Sequence, residues 1–124
     1  MIQIVWQYEV KESLRSKFEL AYGPGGAWSQ LLGSSPGYRG TVLLRHAHHP
    51  HRYLSVESWE TEVQYQAFLK EHGDEYSSLD ATFKEWTDVE VQVGVYRLLS
   101  EATVRPRTGR GHAGARPKGR TRGP

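Results

Sequence analysis

The chain has 124 residues, no cysteine and a formal net charge of +2 at pH 7. This length fits one domain, and the lack of cysteine excludes a disulfide framework and a thiolate site. No apolar run approaches the roughly 20 residues that cross a bilayer, and no signal-like segment begins the chain, so we expect a cytoplasmic protein without a membrane partner.

The charge divides the chain into two parts. Residues 1–100 hold nine Lys and Arg against 13 Asp and Glu, whereas residues 101–124 hold seven Lys and Arg against one acid. The second part is rich in Gly, Pro and Arg, with little to bury, and predicts a disordered basic tail. No aromatic residue lies between its arginines to stack on bases, which favours a solvated extension over a nucleic-acid-binding arm. We therefore expect one domain over residues 1–100 and a tail over residues 101–124.

The first half of the domain predicts a strand, a helix and a hairpin. Ile2–Val10 alternates bulky and polar residues, and Ser13 can cap a helix that buries one side as far as Tyr22. The Gly23–Gly26 segment ends that helix, and a short helical turn follows it. Strands over Gly40–His46 and Arg52–Trp59 then flank a turn at His48–His51.

The second half predicts two helical segments and a final strand. Thr61 and Gln64 form a capping box, so a helix begins there. Gly73 interrupts this helix, which resumes with apolar residues three and four positions apart as far as Trp86. A last strand begins near Val89 and ends near Leu99.

The resulting order, β-α-β-β-α-β, is typical of the ferredoxin-like α+β fold, with a four-stranded antiparallel sheet and helices on one face. The strands are apolar on both faces. In the last strand, for example, Val89–Val95 lie on one side and Tyr96 and Leu98 on the other. A sheet of this kind needs a second cover, and another copy of the chain is the simplest one. We therefore expect a homodimer.

The strand Arg52–Trp59 carries the best candidate site. Tyr53, Ser55, Glu57 and Trp59 share one face, which mixes aromatic surface with groups that can hydrogen-bond or move a proton. Each also has a plain interpretation, in which the aromatic residues pack at the junction of strand and helix and Glu57 is solvated or paired with an arginine. Trp6 and Tyr8 face either the helices or a cavity.

Over residues 1–100 the chain resembles the antibiotic biosynthesis monooxygenase (ABM) domains, which are small dimeric α+β barrels. The resemblance rests on the following segments: Tyr8–Lys11 at the end of the first strand, Phe18 and Tyr22 in the first helix, Pro36-Gly37-Tyr38 leading into Gly40–Arg45, Arg52–Glu60 with Tyr65 and Phe68 after it, and Glu75–Asp80. In members that oxidise polyketides, a Trp and a later aromatic residue line the cavity, at the positions of Trp59 and Tyr65. Those members have an Asn where this chain has Ser55.

The haem-degrading members match less well. They use an Asn on the first strand, a second Trp and a His, and these positions hold Trp6, Ala67 and Ser77 here. The histidines around His46–His51 suggest a metal site, but they lie in a turn beside Pro50 without nearby Cys or Asp. We therefore predict no metal site and no cofactor.

Two classes of function fit these residues. The first is a cofactor-independent monooxygenase that acts on a small aromatic or polyketide-like substrate, with Glu57 as base and His72 as the alternative base. Ser55 would bond a substrate oxygen, and the ring would be held by aromatic residues: Trp6, Tyr53, Trp59 and Tyr65. The second is a non-catalytic dimeric domain that binds a small hydrophobic ligand.

Overall fold

The computed structural model describes residues 1–99. Four strands and four helices follow one another in the predicted order: β1 Ile2–Val10, α1 Arg15–Tyr22, α2 Ala27–Leu32, β2 Tyr38–Arg45, β3 Arg52–Trp59, α3 Glu62–Glu71, α4 Gly73–Phe83 and β4 Thr87–Arg97. Short 3-10 turns precede α1 and follow α4. The predicted disorder of the tail concerns residues that lie outside the described range.

The strands form one antiparallel sheet in the order β2-β3-β1-β4. The two central strands, β1 and β3, run side by side from Ile2 opposite Trp59 to Tyr8 opposite Tyr53. Because opposed residues share a face, the buried side chains of both strands point to the side that the helices cover. The ferredoxin-like α+β fold predicted from the sequence is confirmed.

The core lies between the sheet and the helices in two clusters. One gathers around Trp59, with Ile2, Ile4, Leu32, Tyr65 and Phe68. The other gathers around Phe18, with Tyr8, Val10 and Tyr53. Trp6 packs against both clusters from the middle of β1. It is only partly buried, because a cavity opens beside it.

The helix starts show one confirmed prediction and one error. The backbone N–H of Gln64 donates to the Thr61 hydroxyl at 3.2 Å, so Thr61 caps α3 as predicted. Ser13, in contrast, does not cap α1. It lies inside a 3-10 turn that the bond from Leu14 N–H to the Lys11 carbonyl closes, and α1 begins after that turn.

A β-bulge in β4 changes which of its residues share a face. Val5 lies opposite Gly94 and Trp6 opposite Gln92, so one extra residue of β4 is left between these pairs. Val91 therefore faces away from the helices, whereas Val95, opposite Ile4, faces toward them. The expectation that Val89–Val95 share one side is wrong, because alternation is interrupted where the extra residue enters.

The sheet face that points away from the helices carries apolar side chains on all four strands, with Gln3 and Gln7 of β1 between them. Four side chains on it are between 46% and 56% exposed: Val42, Leu44, Val91 and Tyr96. On the two central strands, Val5, Leu54 and Val56 lie on the same face and are partly buried. Separately, no helix among residues 1–99 is long and apolar enough to cross a membrane.

Candidate functional site: an acidic aromatic cavity

A cavity of about 290 Å³ lies between the sheet and the helices. Six aromatic residues line it, and they come from five elements: Trp6 and Tyr8 on β1, Tyr22 on α1, Trp28 on α2, Tyr38 on β2 and Tyr76 on α4. The inward-facing positions of β1 supply two of the rings, because alternation places every second residue on the helix side. Concave, mostly apolar cavities with aromatic side chains and a few polar groups are the usual form of small-molecule sites.

Three carboxyl groups line this aromatic cavity. Glu57 comes from β3, Asp80 from α4 and Glu90 from β4. Glu57 is next to Ile4 of β1 in the sheet register, whereas Glu90 is next to Tyr8 of the same strand. The acids therefore lie toward different ends of the cavity. No Lys, Arg or His is among the lining residues within the described part of the chain.

Trp59 fixes the position of the Glu57 carboxyl group. The indole N–H of Trp59 donates to Oε2 of Glu57 at 2.5 Å. Burial raises the pKa of Glu57 above its ordinary value, and the bond from Trp59 offsets part of that rise. A carboxyl group with a raised pKa, held at the wall of a cavity, can accept a proton from a bound ligand.

Asp80 and Glu90 form a second acidic group on the wall. Loss of hydration is the largest effect on Glu90, and the charge of Asp80 and a hydrogen-bond contact with it act in the same direction, which together raise the pKa of Glu90 to about 7. Lys84 opposes this rise. Asp80 and Glu90 also line a groove outside the cavity, and Lys84 lines this groove as well. The two acids therefore lie where the cavity and the groove adjoin.

The residues predicted from β3 divide between the cavity and the core. Trp6, Ser55 and Glu57 line the cavity. Trp59 is fully buried in the core and reaches the cavity only through its bond to Glu57. Tyr53 is also buried, and its hydroxyl donates to Glu19 of α1, so it joins the helix to the sheet.

The two predicted residues of α3 and its end lie away from the cavity wall. Tyr65 packs against Trp59 with ring centroids 5.7 Å apart, and burial raises the pKa of Tyr65 to about 12. The ring of His72 stacks on Phe68, and its Nδ1 lies 3.0 Å from the Glu75 carboxylate. Neither side chain lines the cavity.

The histidine turn between β2 and β3 has a structural role. Nδ1 of His46 accepts hydrogen bonds from the backbone N–H groups of His48 and His49, at 3.0 and 3.1 Å. An imidazole can accept at Nδ1 only when that nitrogen carries no proton. Among residues 1–99 no group of three or more His, Cys, Asp or Glu side chains is placed to hold a metal ion.

Several residues that line the cavity were not predicted as site residues from the sequence. Tyr22, Trp28, Tyr76, Asp80 and Glu90 come from four separate elements that the fold brings together. The spacing of Tyr76 and Asp80, four apart on a predicted helix, was a usable signal that they share a face. Glu90 had no comparable signal, because the apolar residues on either side of it, Val89 and Val91, lie on the opposite face of its strand.

Comparison with known proteins identifies the family. The sequence of residues 1–88 matches the antibiotic biosynthesis monooxygenase family. No curated protein matches the chain at a significant level. Among solved structures, an antibiotic biosynthesis monooxygenase-type protein from Bordetella bronchiseptica is 22% identical, with a TM-score of 0.64 over 80% of this chain and 97% of its own.

Two further structures share the fold at low identity. SnoaB, a cofactor-independent oxygenase from Streptomyces nogalater, is 16% identical with a TM-score of 0.65, over 83% of this chain and 97% of its own. A mutant of MhuD with two manganese protoporphyrin IX molecules per active site is 19% identical with a TM-score of 0.62, over 82% and 98%. The family match spans most of the chain and agrees with the fold: the chain belongs to the antibiotic biosynthesis monooxygenase family.

Proposed function

We propose that the domain is a cofactor-independent monooxygenase that oxidises a small aromatic substrate inside the acidic aromatic cavity. The observation that carries the proposal is Glu57: a carboxyl group with a raised pKa, positioned by Trp59 on the wall of an aromatic cavity. Membership of the family and the likeness to SnoaB, itself described as a cofactor-independent oxygenase, support the same reaction type.

The reaction needs a substrate that becomes electron-rich when it loses a proton. Glu57 removes a proton from an activated C–H or O–H group, and the resulting anion transfers an electron to dioxygen. The two radicals join as a peroxide, which takes the proton back from Glu57. Loss of water then leaves a new carbonyl group, so one oxygen atom enters the product and the other leaves as water.

The cavity residues would bind the substrate and exclude water. Trp6 and Trp28 offer flat surfaces for the ring, and Ser55 offers a hydroxyl for a substrate oxygen. Loss of water around the carboxylate strengthens it as a base, because fewer hydrogen bonds stabilise its charge. We keep Glu57 as the base and place His72 outside the reaction, since its ring is bonded to Glu75 away from the cavity.

Oxygen uptake tests the proposal. The protein is incubated with a panel of phenols and anthrones without flavin or metal, and ¹⁸O₂ is traced into the product. Glu57→Gln is expected to lower kcat by roughly 10²- to 10⁴-fold, the usual contribution of a general base. Glu71→Gln, an exposed acid on α3, is the matched control and should leave turnover unchanged.

A non-catalytic hydrophobe-binding domain is the second candidate, and the same cavity favours it. Binding without oxygen uptake for every member of the panel would support this candidate and contradict the monooxygenase. Turnover that survives Glu57→Gln intact would keep the oxygenase but remove Glu57 from its role as base.

We also infer that two copies pair through the outer sheet face. Its exposed apolar side chains, such as Val42 and Val91, are joined across the central strands by Val56, Leu54 and Val5, with Gln7 between Leu54 and Val91. Sheet-on-sheet contact about a two-fold axis would cover this surface. The cavity lies on the opposite side of the sheet, so pairing leaves it intact.

Light scattering after size-exclusion chromatography tests the dimer. We expect twice the 14.1 kDa chain mass for the native protein. Val42→Lys with Val91→Lys should give the single-chain mass, because burying two charges across a dry interface is costly. Val63→Lys, which changes an exposed valine on α3, should leave the dimer intact. A native protein of single-chain mass at micromolar concentration would contradict the inference.

A further inference from the structure

The charged side chains that line the acidic aromatic cavity are all acidic. Its lining includes three carboxyl groups, from Glu57, Asp80 and Glu90, and no basic side chain within the described residues. A carboxylate or phosphate on a ligand would be repelled in this surrounding, and the repulsion grows as water is displaced. The cavity therefore disfavours anionic aromatic compounds.

The aromatic wall adds attraction for the opposite charge. The rings of Trp6 and Tyr76 line both the cavity and the adjoining groove, next to Asp80 and Glu90. The face of an aromatic ring attracts a cation, most strongly where the cation is partly desolvated. Rings and carboxyl groups together form the kind of surrounding that binds an ammonium group.

The register of the sheet separates this acidic pair from Glu57. Glu57 neighbours Ile4 on β1, and Glu90 neighbours Tyr8 on the other side of the same strand. Four residues along a strand and two strand spacings across the sheet place their Cα atoms roughly 16 Å apart. Both side chains line one cavity, so a single ligand can meet Glu57 with its ring and the pair with a side arm.

We propose that the cavity selects aromatic ligands that carry a protonated amine, with the ring at Glu57 and the ammonium group between Asp80, Glu90 and the rings of Trp6 and Tyr76. The inference rests on the proposed function, because it names the substrate class of the same cavity. A phenol with an aminoalkyl arm meets both requirements: a hydroxyl proton for Glu57 and a cation for the acidic pair.

The raised pKa of Glu90 predicts that binding of the ammonium group depends on pH. With Glu90 holding a proton up to about pH 7, an arriving ammonium group must displace that proton to make its full ion pair. Binding of the cation should therefore release a proton and tighten as the pH rises through 7. The groups around Glu90 that share in this balance are Asp80, Lys84, Tyr8, Tyr22 and Tyr76.

Anaerobic calorimetry with three matched phenols tests the inference separately from any reaction. The probes are tyramine, 4-ethylphenol and 3-(4-hydroxyphenyl)propionate, which differ in the charge of the arm. We expect tyramine to bind about tenfold more tightly than 4-ethylphenol, and the carboxylate more weakly than both. The affinity for tyramine, but not for 4-ethylphenol, should rise between about pH 6 and about pH 8, with protons released.

A double variant tests whether Asp80 and Glu90 cause the preference for tyramine. Asp80→Asn with Glu90→Gln should abolish the preference for tyramine and keep the affinity for 4-ethylphenol, which also shows that the cavity is still folded. Glu85→Gln, an exposed acid beside Lys84, is the control and should keep the preference. Equal binding of the three probes, binding of none, or a preference that survives the double change would overturn the inference. Selective binding without oxygen uptake would leave it standing and contradict only the monooxygenase.

Discussion

Trp59→Phe separates the packing role of Trp59 from its bond to Glu57. A phenyl ring keeps most of the contacts with Tyr38, Tyr65 and Phe68, whose centroids lie 5.5 to 5.7 Å from the indole. It removes the N–H that donates to the Glu57 carboxylate. Truncation of a buried Trp to Ala costs about 3–5 kcal/mol, and the loss of stability in Trp59→Phe should be smaller.

The expected effect on Glu57 is an upward shift in its pKa. A hydrogen bond to a charged group contributes about 1.5–3 kcal/mol, and one pKa unit corresponds to about 1.4 kcal/mol, so the rise should be about one to two units. The sign follows because the bond favours the ionised form, and burial is then left unopposed. If Glu57 is the base, the acid limb of the pH–rate profile moves up with it.

Carbon-13 NMR of labelled glutamate side chains measures the titration, and Glu57→Gln assigns the resonance. Trp86→Phe is the control, because this partly buried Trp contacts Phe83 and makes no bond to Glu57. An unchanged or lower pKa of Glu57 in Trp59→Phe would refute the reasoning, since it would mean that water entering the vacated space replaces the indole N–H.

Three further predictions concern stability. The free energy of unfolding should fall as the pH rises from about 4.5 to about 7, because the native state keeps a proton on Glu90 that the unfolded chain releases, and Glu90→Gln should reduce this fall. Local desolvation and the neighbouring positive groups lower the pKa of His46, so the turn it holds is intact above about pH 6.5 and loosens as the pH falls, with a lower protection factor for amide exchange at His48. Thr61→Ala removes the acceptor for the Gln64 N–H and should cost about 1 kcal/mol in urea unfolding.

Each of these has a matched control. Glu71→Gln should not alter the pH dependence of unfolding, and His51→Gln, in the same turn, should leave the pH-dependent protection of the His48 amide in place. Ser77→Ala changes an exposed hydroxyl on α4 and should have little effect on stability. A protection factor at His48 that does not change with pH, or a Thr61→Ala protein as stable as the native one, would contradict the corresponding reasoning.

Local chemistry determined most of the secondary structure. Alternation over Arg52–Trp59 predicted β3 with its bounds, and Thr61 with Gln64 predicted the start of α3, because both signals depend only on residues close in sequence. The break at Gly73 likewise appears between α3 and α4. The order of these elements then indicated the ferredoxin-like fold.

The site depended on the tertiary structure. The pattern of β3 showed that Glu57 and Trp59 share a face, but α3 covers Trp59 through Tyr65 and Phe68, so Trp59 is core and Glu57 lines the cavity. Asp80 and Glu90 lie on a helix and a strand, and only the closing of the sheet beneath α4 brings them together. Local sequence fixes which face a side chain takes; which part of that face stays open depends on where the helices lie.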